Sequence, residues 1–458
     1  MKATFKNLGA IKDATLDVGD FTILTGRNNT GKTYATYAIY GFLRSWRDIR
    51  VHSHRSGKLG QALLADNEVA IDLNDKEQQE FPAQFLRRSA HMFSRALGRL
   101  FASDESDNRF KDAVFELGLP NIELDQNEDF ILSKRGFVAT RDKGNATLFV
   151  KRNSEGTIRR VPLQGNFAAS MLLDELIAES FLGHLLPRPV ILTSERTGIS
   201  LFWRELDTQK NVLVDKLKNM GSEKINVHQL VSEMSARYAR PIQDNIDTTR
   251  NFPLLFKETS YLASKHPEVL EAFAILAGGS YKVGVGKEPH FAPNAKAKRK
   301  GSIPLYLGSS SVRSLMSLGS YLQHEARRGD LLMIDEPELN LHPEGQRQLG
   351  RVLALLVNAG VKVFVTTHSD YLVREVNTLV KLNGDFPNKT KLLKKLRYNT
   401  AECLKPSQVK LYVAENSTLS PVGVAEGGFS RSTFDEVLTE MSKVEDTLML
   451  AKEGLADA

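Results

Sequence analysis

The sequence predicts an α/β protein in which a mixed sheet is flanked by helices, joined to a β-rich lobe and split by a helical insertion. Three observations predict it. A short apolar run at 21–24 passes through a glycine-rich loop directly into a helix-like segment at 32–43. Two more compact apolar runs, 331–334 and 363–367, lie far downstream, and each ends in residues capable of chemistry. The intervening chain is strand-and-turn over 110–165 and polar and helical over 203–278. Short apolar runs bounded by turns read as buried strands, and apolar positions three and four apart read as helices.

Taken in order, 4–8 and 14–18 are strand-like pieces around a Gly9 turn, and Phe21-Thr22-Ile23-Leu24 follows the Gly19-Asp20 turn as a buried strand. In 85–101 the apolar residues Leu86, Ala90, Phe93, Leu97, Leu100 and Phe101 have helical spacing. The opposite face carries Arg87, Arg88, Arg95 and Arg99 and reads either as a solvated surface or as a nucleic-acid or partner surface. Residues 110–165 form the β-rich lobe, 168–186 a helix and 189–193 another buried strand. The segment after 203 reads as an inserted arm. Pro241, Pro253 and Pro267 interrupt it and no heptads persist, so it is not a long coiled coil. Strands return over 280–307 with the basic cluster Lys296-Ala297-Lys298-Arg299-Lys300, again solvated or a nucleic-acid contact. The expected division is 1–202 and 280–395 for the two parts of the head, 203–279 for the arm and 396–458 for a small α/β extension.

Composition narrows the class. At 458 residues the chain exceeds what one hydrophobic core usually covers. Its 41% hydrophobic and 25% charged content is that of a globular protein. No run approaches the ~20 apolar residues of a membrane span, and the first residues lack a signal-peptide core. The single cysteine, Cys403, excludes an internal disulfide framework and a multi-cysteine zinc site. A cytoplasmic protein without membrane contact is expected. The net charge of +6 permits a phosphate-rich partner without demanding one.

The chemistry is concentrated in four stretches. Gly26-Arg27-Asn28-Asn29-Thr30-Gly31-Lys32-Thr33 is a complete G-x-x-x-x-G-K-T. Its glycines let the backbone curl so that successive N–H groups face phosphates, and the start of the next helix adds its positive dipole end. Lys32 would reach the β- and γ-phosphates, and the Thr33 hydroxyl would ligate Mg²⁺. The run 331–334 ends in Asp335-Glu336, where one carboxylate suits the metal and the other the attacking water. We assign Asp335 to Mg²⁺ and Glu336 to the water. The run 363–367 ends in His368, placed to contact the γ-phosphate or the water. Gly308-Ser309-Ser310-Ser311-Val312-Arg313 opens a helix, and its hydroxyls and N–H groups suit either phosphate binding or a plain N-cap.

These motifs together resemble the ABC-type ATPase heads of the SMC, RecF and OLD kind. Asp335-Glu336-Pro337-Glu338-Leu339-Asn340-Leu341-His342-Pro343 is similar to their Walker B and D-loop, and His368 to their switch histidine. The resemblance implies ATP and Mg²⁺ as cofactors. It also implies a homo-oligomer in which two heads sandwich ATP. Ser309, Ser310, Ser311 and Arg313 would then form the signature loop, acting on the nucleotide of the opposing subunit. This loop departs from the L-S-G-G-Q type, and which serine meets the nucleotide stays open. Ile191-Leu192-Thr193-Ser194-Glu195-Arg196-Thr197-Gly198 is similar to an element of AAA-type ATPases from bacterial anti-phage systems, with Glu195 where a Q-loop residue would couple nucleotide to the arm.

The whole layout resembles the ATPase subunits of the PARIS and Septu systems. That implies a sensor and scaffold controlling a separate effector protein. Two alternatives remain at this point, a RecF-like repair ATPase on duplex DNA and a slow regulatory nucleotide switch. Val409-Lys410-Leu411-Tyr412-Val413-Ala414-Glu415 is superficially similar to the first Toprim element of OLD nucleases, but no D-x-D follows it. A nuclease site of the chain's own is therefore not expected.

Overall fold

A strand at the centre of a parallel sheet is covered on both faces, so it must be apolar throughout. Phe21–Gly26 meets that demand: Phe21, Thr22, Ile23, Leu24 and Thr25 are all buried. In the computed structural model, which describes residues 1–49, 57–103, 108–153, 165–202, 238–284, 288–294, 301–430 and 435–452, this strand lies inside a six-stranded sheet. The order is Thr418–Val422, Val409–Glu415, Phe21–Gly26, Lys362–Thr367, Leu331–Asp335 and Pro189–Leu192. Phe21–Gly26 pairs in parallel with both neighbours, Lys362–Thr367 pairs in parallel with Leu331–Asp335, and Thr418–Val422 is antiparallel to Val409–Glu415. The mixed sheet expected from the sequence is present, and the structure shows its central pairings to be parallel.

The register aligns the strand ends. Thr25 faces Thr367, Ala414 faces Gly26 and Asp335 faces Thr366. Gly26, Asp335, His368 and Glu415 therefore leave the sheet along one carboxyl edge, where open α/β sheets bind their ligands.

The chain divides into two compact units, Met1–Asp17 with Tyr37–Pro189, and Val18–Thr36 with Val190–Ala458. The first holds the β-rich part. One antiparallel sheet has the order Ile11–Asp17, Lys2–Leu8, Val114–Gly118, and another the order Glu68–Asp72, Thr147–Arg152, Phe137–Arg141, Phe130–Lys134. Helix Lys76–Leu100 packs on Val114–Gly118 through Phe93, whose ring centroid lies 5.4 Å from that of Phe115. It starts earlier than the apolar spacing alone predicts because the Asp75 carboxylate accepts the Glu77 N–H, capping its first turn. Arg87, Arg88, Arg95 and Arg99 lie on its exposed face. Helix Gly165–Leu182 is buried nearly all round, as its long apolar sequence requires.

The second unit is built on the six-stranded sheet. Helices Ser310–Ser320, Pro343–Asn358 and Asp370–Lys381 supply apolar faces to its core. Of the expected arm, 203–237 lies outside the described residues. The remainder forms helices Arg240–Leu255, Tyr261–Lys265 and Pro267–Ala277, and Leu262, Val269 and Phe273 belong to the same core as the sheet strands. Val409–Glu415, within the expected α/β extension at 396–458, is a strand of the six-stranded sheet, and its alternate residues Val409, Leu411 and Val413 enter that core. The basic cluster at 296–300 lies outside the described residues. Among the described residues no helix is long and apolar enough to cross a membrane.

Candidate nucleotide site

The loop after Phe21–Gly26 turns sharply because Gly26, Asn29 and Gly31 have φ of 141°, 62° and 98°. Glycine and asparagine accept such backbone at least cost. Gly26 has a second reason to lack a side chain, since a Cβ there would stand 2.5 Å from the Ala414 carbonyl oxygen. Thr30 donates its hydroxyl to the Arg27 carbonyl at 2.8 Å, closing the turn. Asn28 and Asn29 are exposed. The helix Lys32–Ser45 follows at once. Lys32 is buried, and its ammonium donates to the carbonyls of Gly26 at 3.0 Å and Arg27 at 2.8 Å. Burial lowers its pKa, while Asp335, Glu336 and Glu338 pull the other way and favour the cation.

Asp335 is buried at the end of its strand. The Thr366 hydroxyl donates to one carboxylate oxygen, and the Thr33 hydroxyl lies 3.5 Å from the other. Burial pushes the Asp335 carboxyl up to about 6; the Thr366 hydrogen bond opposes that, and Glu336 and Glu195 add to it. The paired hydroxyl and carboxylate are hard oxygen donors, so their chemistry fits Mg²⁺.

Glu336 has left-handed backbone, φ 49°, and its N–H donates to the Thr366 carbonyl at 3.0 Å. Its carboxylate lies 3.7 Å from His368 Nε2, with both side chains about one-third exposed. The His368 N–H donates to Glu338 Oε1 at 2.7 Å, so Glu338 fixes the turn that presents the imidazole. Burial lowers the His368 pKa, as does nearby Lys32, against the raising effect of Glu336. The structure therefore brings Lys32, Thr33, Asp335, Glu336 and His368 to one edge of one sheet.

The serine-rich stretch is organised around its own helix. Ser309 caps Ser310–Ser320 by accepting the Val312 N–H at 3.3 Å, and its hydroxyl lies 2.8 Å from that of Ser311. Arg313 folds back, donating to the Gly308 carbonyl at 2.5 Å and to the Ser310 hydroxyl at 3.2 Å. Ser309 and Ser310 are exposed, and Ser311 and Arg313 are half-buried.

Besides Thr366 and Glu338, Arg196 was not assigned a role from sequence. Glu195 is exposed, whereas the next residue, Arg196, is buried. Arg196 donates to four carbonyls: Nη1 to Thr193 at 3.0 Å and Asp335 at 2.7 Å, Nη2 to Glu336 at 2.7 Å, and Nε to Ser314 at 3.1 Å. Burial brings its pKa down to about 10, and Asp335, Glu338, Glu336 and Glu195 favour the charged form, so it is a cation at neutral pH. The only sequence signal was its place in the stretch 191–198.

Residues 204–373 match the family model described as AAA ATPase domain, a span that includes the serine-rich loop, the acid pair and His368. No curated protein matches the chain. Among solved structures, it is similar to an SMC head bound to the C-terminal winged-helix domain of ScpA, at 12% identity, with 95% of this chain and 98% of that chain covered and a TM-score of 0.33. It is also similar to an Smc head with an extended coiled coil bound to the C-terminal domain of ScpA derived from Pyrococcus furiosus. There the identity is 12%, the coverage 97% and 98%, and the TM-score 0.29. For the SMC head domain from Thermotoga maritima the values are 9%, 93% and 98%, and 0.28. The phosphate loop, the parallel sheet order and the AAA ATPase domain match over 204–373 together make the fold that of a P-loop ATPase.

Proposed function

We propose that this chain is an ATP-binding and ATP-hydrolysing sensor and scaffold, working as a homo-oligomer that controls a separate effector protein in a bacterial anti-phage defence system. The observation that carries the ATPase part is the meeting of Lys32, Thr33, Asp335, Glu336 and His368 at the carboxyl edge of one sheet. In this reading the loop N–H groups of 26–33 and the Lys32 ammonium bind the β- and γ-phosphates. Thr33 and Asp335 would hold Mg²⁺, which when bound neutralises phosphate charge. Glu336 orients a water and accepts its proton as the water oxygen bonds to the γ-phosphorus. The bond from that phosphorus to the bridging oxygen breaks, and ADP leaves with the electron pair. His368 contacts the γ-phosphate or the water.

The opposing subunit would supply Ser309, Ser310, Ser311 and Arg313. Arg313 is suited to this, because its present acceptors are one carbonyl and one hydroxyl, and charge-assisted bonds to phosphate oxygens are stronger. Turnover that waits for a second head is slow and open to control by a partner. The defence assignment and the effector rest on the resemblance to the ATPase subunits of the PARIS and Septu systems. Glu336→Gln protein, purified with ATP and Mg²⁺ from cells that also express the neighbouring genes, is expected to carry a stoichiometric protein partner that Lys32→Ala protein lacks. Bound nucleic acid without a protein partner would overturn the defence reading.

That outcome would favour the second reading, a RecF-like ATPase on duplex DNA. The exposed arginines at 87, 88, 95 and 99 speak for it. It predicts DNA-stimulated turnover that falls steeply with salt.

A further inference from the structure

Arg196 is more completely committed than a buried cation needs to be. Four of the N–H bonds of a rigid, planar guanidinium rest on carbonyls from three separate segments. Two of those carbonyls, Asp335 and Glu336, flank the left-handed residue that carries the water-activating carboxylate. Left-handed backbone at glutamate persists only where its surroundings over-determine it. The Glu336 N–H is fixed by Thr366 and its carbonyl by Arg196, so the peptide groups on both sides of the kink are pinned. Of the other two carbonyls, Thr193 lies three residues before Arg196 itself, and Ser314 lies in the first turns of the helix capped by Ser309.

We infer that Arg196 is a positioning residue that ties the serine-capped helix Ser310–Ser320 to the backbone of Glu336, so that docking of this helix on the opposing subunit's nucleotide sets the aim of the Glu336 carboxylate. The inference rests on the ATPase reading above and adds a route by which one active site senses closure of the other. Because Nε holds the helix while Nη1 and Nη2 hold the acid pair, a displacement of Ser314 moves the same rigid group that supports Asp335 and Glu336. Lysine keeps the charge but cannot hold both ends at once, since its three donors radiate from one nitrogen.

The test compares the full chain with Arg196→Lys, Ser310→Ala and the double variant. Equilibrium ATP binding, single-turnover hydrolysis and amide hydrogen exchange are measured on each. Arg196→Lys is expected to bind ATP within about twofold of the parent while its hydrolysis rate falls roughly 10- to 100-fold, the loss expected of a misaimed group. Exchange is expected to speed up in both 309–318 and 333–341, and adding Ser310→Ala is expected to cost little beyond Arg196→Lys alone. Unchanged exchange in either segment, or losses that multiply in the double variant, would overturn the inference. The exchange readout does not need hydrolysis. A parent that fails to hydrolyse ATP therefore counts against the ATPase reading, while parental hydrolysis and exchange in Arg196→Lys count against Arg196 alone.

Discussion

Gly26 carries the sharpest steric constraint in the phosphate loop. Its φ of 141° is closed to L side chains, and the Ala414 carbonyl stands where a Cβ would go. Gly26→Ala is expected to destabilise the protein by about 1–3 kcal/mol, the cost of a strained backbone position, and to weaken nucleotide binding. Thermal unfolding and equilibrium binding check the two effects. Lys32 presents the opposite case. Among the described residues its ammonium donates to two loop carbonyls, so Lys32→Ala is expected to leave the melting temperature near that of the parent while abolishing ATP binding in a fluorescent-nucleotide titration. At this scale the meeting of Lys32, Thr33, Asp335, Glu336 and His368 was legible in the sequence, because each directly follows or ends a short apolar run or glycine loop that local spacing marks. Arg196 was not. Its acceptors are backbone carbonyls at 193, 314, 335 and 336, and a carbonyl leaves no mark on residue identity.

The helix Ser310–Ser320 has to present its N-terminus while staying anchored in the core. Leu315 and Leu318 enter the core of the second unit, and the Tyr281 hydroxyl donates to the Val312 carbonyl at 2.6 Å. Phe273 packs so closely that a Cβ on Gly319 would lie 2.8 Å from its ring. Phe273→Ala should therefore cost about 3–5 kcal/mol, as large-to-small changes at buried aromatics do, and calorimetry would show it as a lowered transition. Ser309→Ala removes the cap and should cost about 1 kcal/mol, far less than Phe273→Ala. The strands 21–24, 331–334 and 363–367 were legible as elements because both of their faces are buried. Val409–Glu415 was harder to place, since a strand added late in the chain beside Phe21–Gly26 is set by tertiary pairing rather than by any local pattern. The helix at 76–100 was read short because Asp75 caps a polar first turn that apolar periodicity does not register.

For the whole molecule, the proposal requires two chains. The Ser309, Ser310, Ser311 and Arg313 groups are bonded within the 308–314 stretch, while Lys32, Asp335, Glu336 and His368 form the other cluster. A second head facing the first would let one cluster complete the other. Solution mass by light scattering is expected to rise to at least that of a dimer for Glu336→Gln with ATP and Mg²⁺, and to stay at the nucleotide-free value for Lys32→Ala. The most direct measurement is phosphate release from ATP by the parent and by Glu336→Gln, with ATP binding measured in parallel. The account predicts unimpaired binding and a hydrolysis rate at least about 100-fold lower in the variant, the range of a lost general base. Release at the parental rate from Glu336→Gln would contradict it.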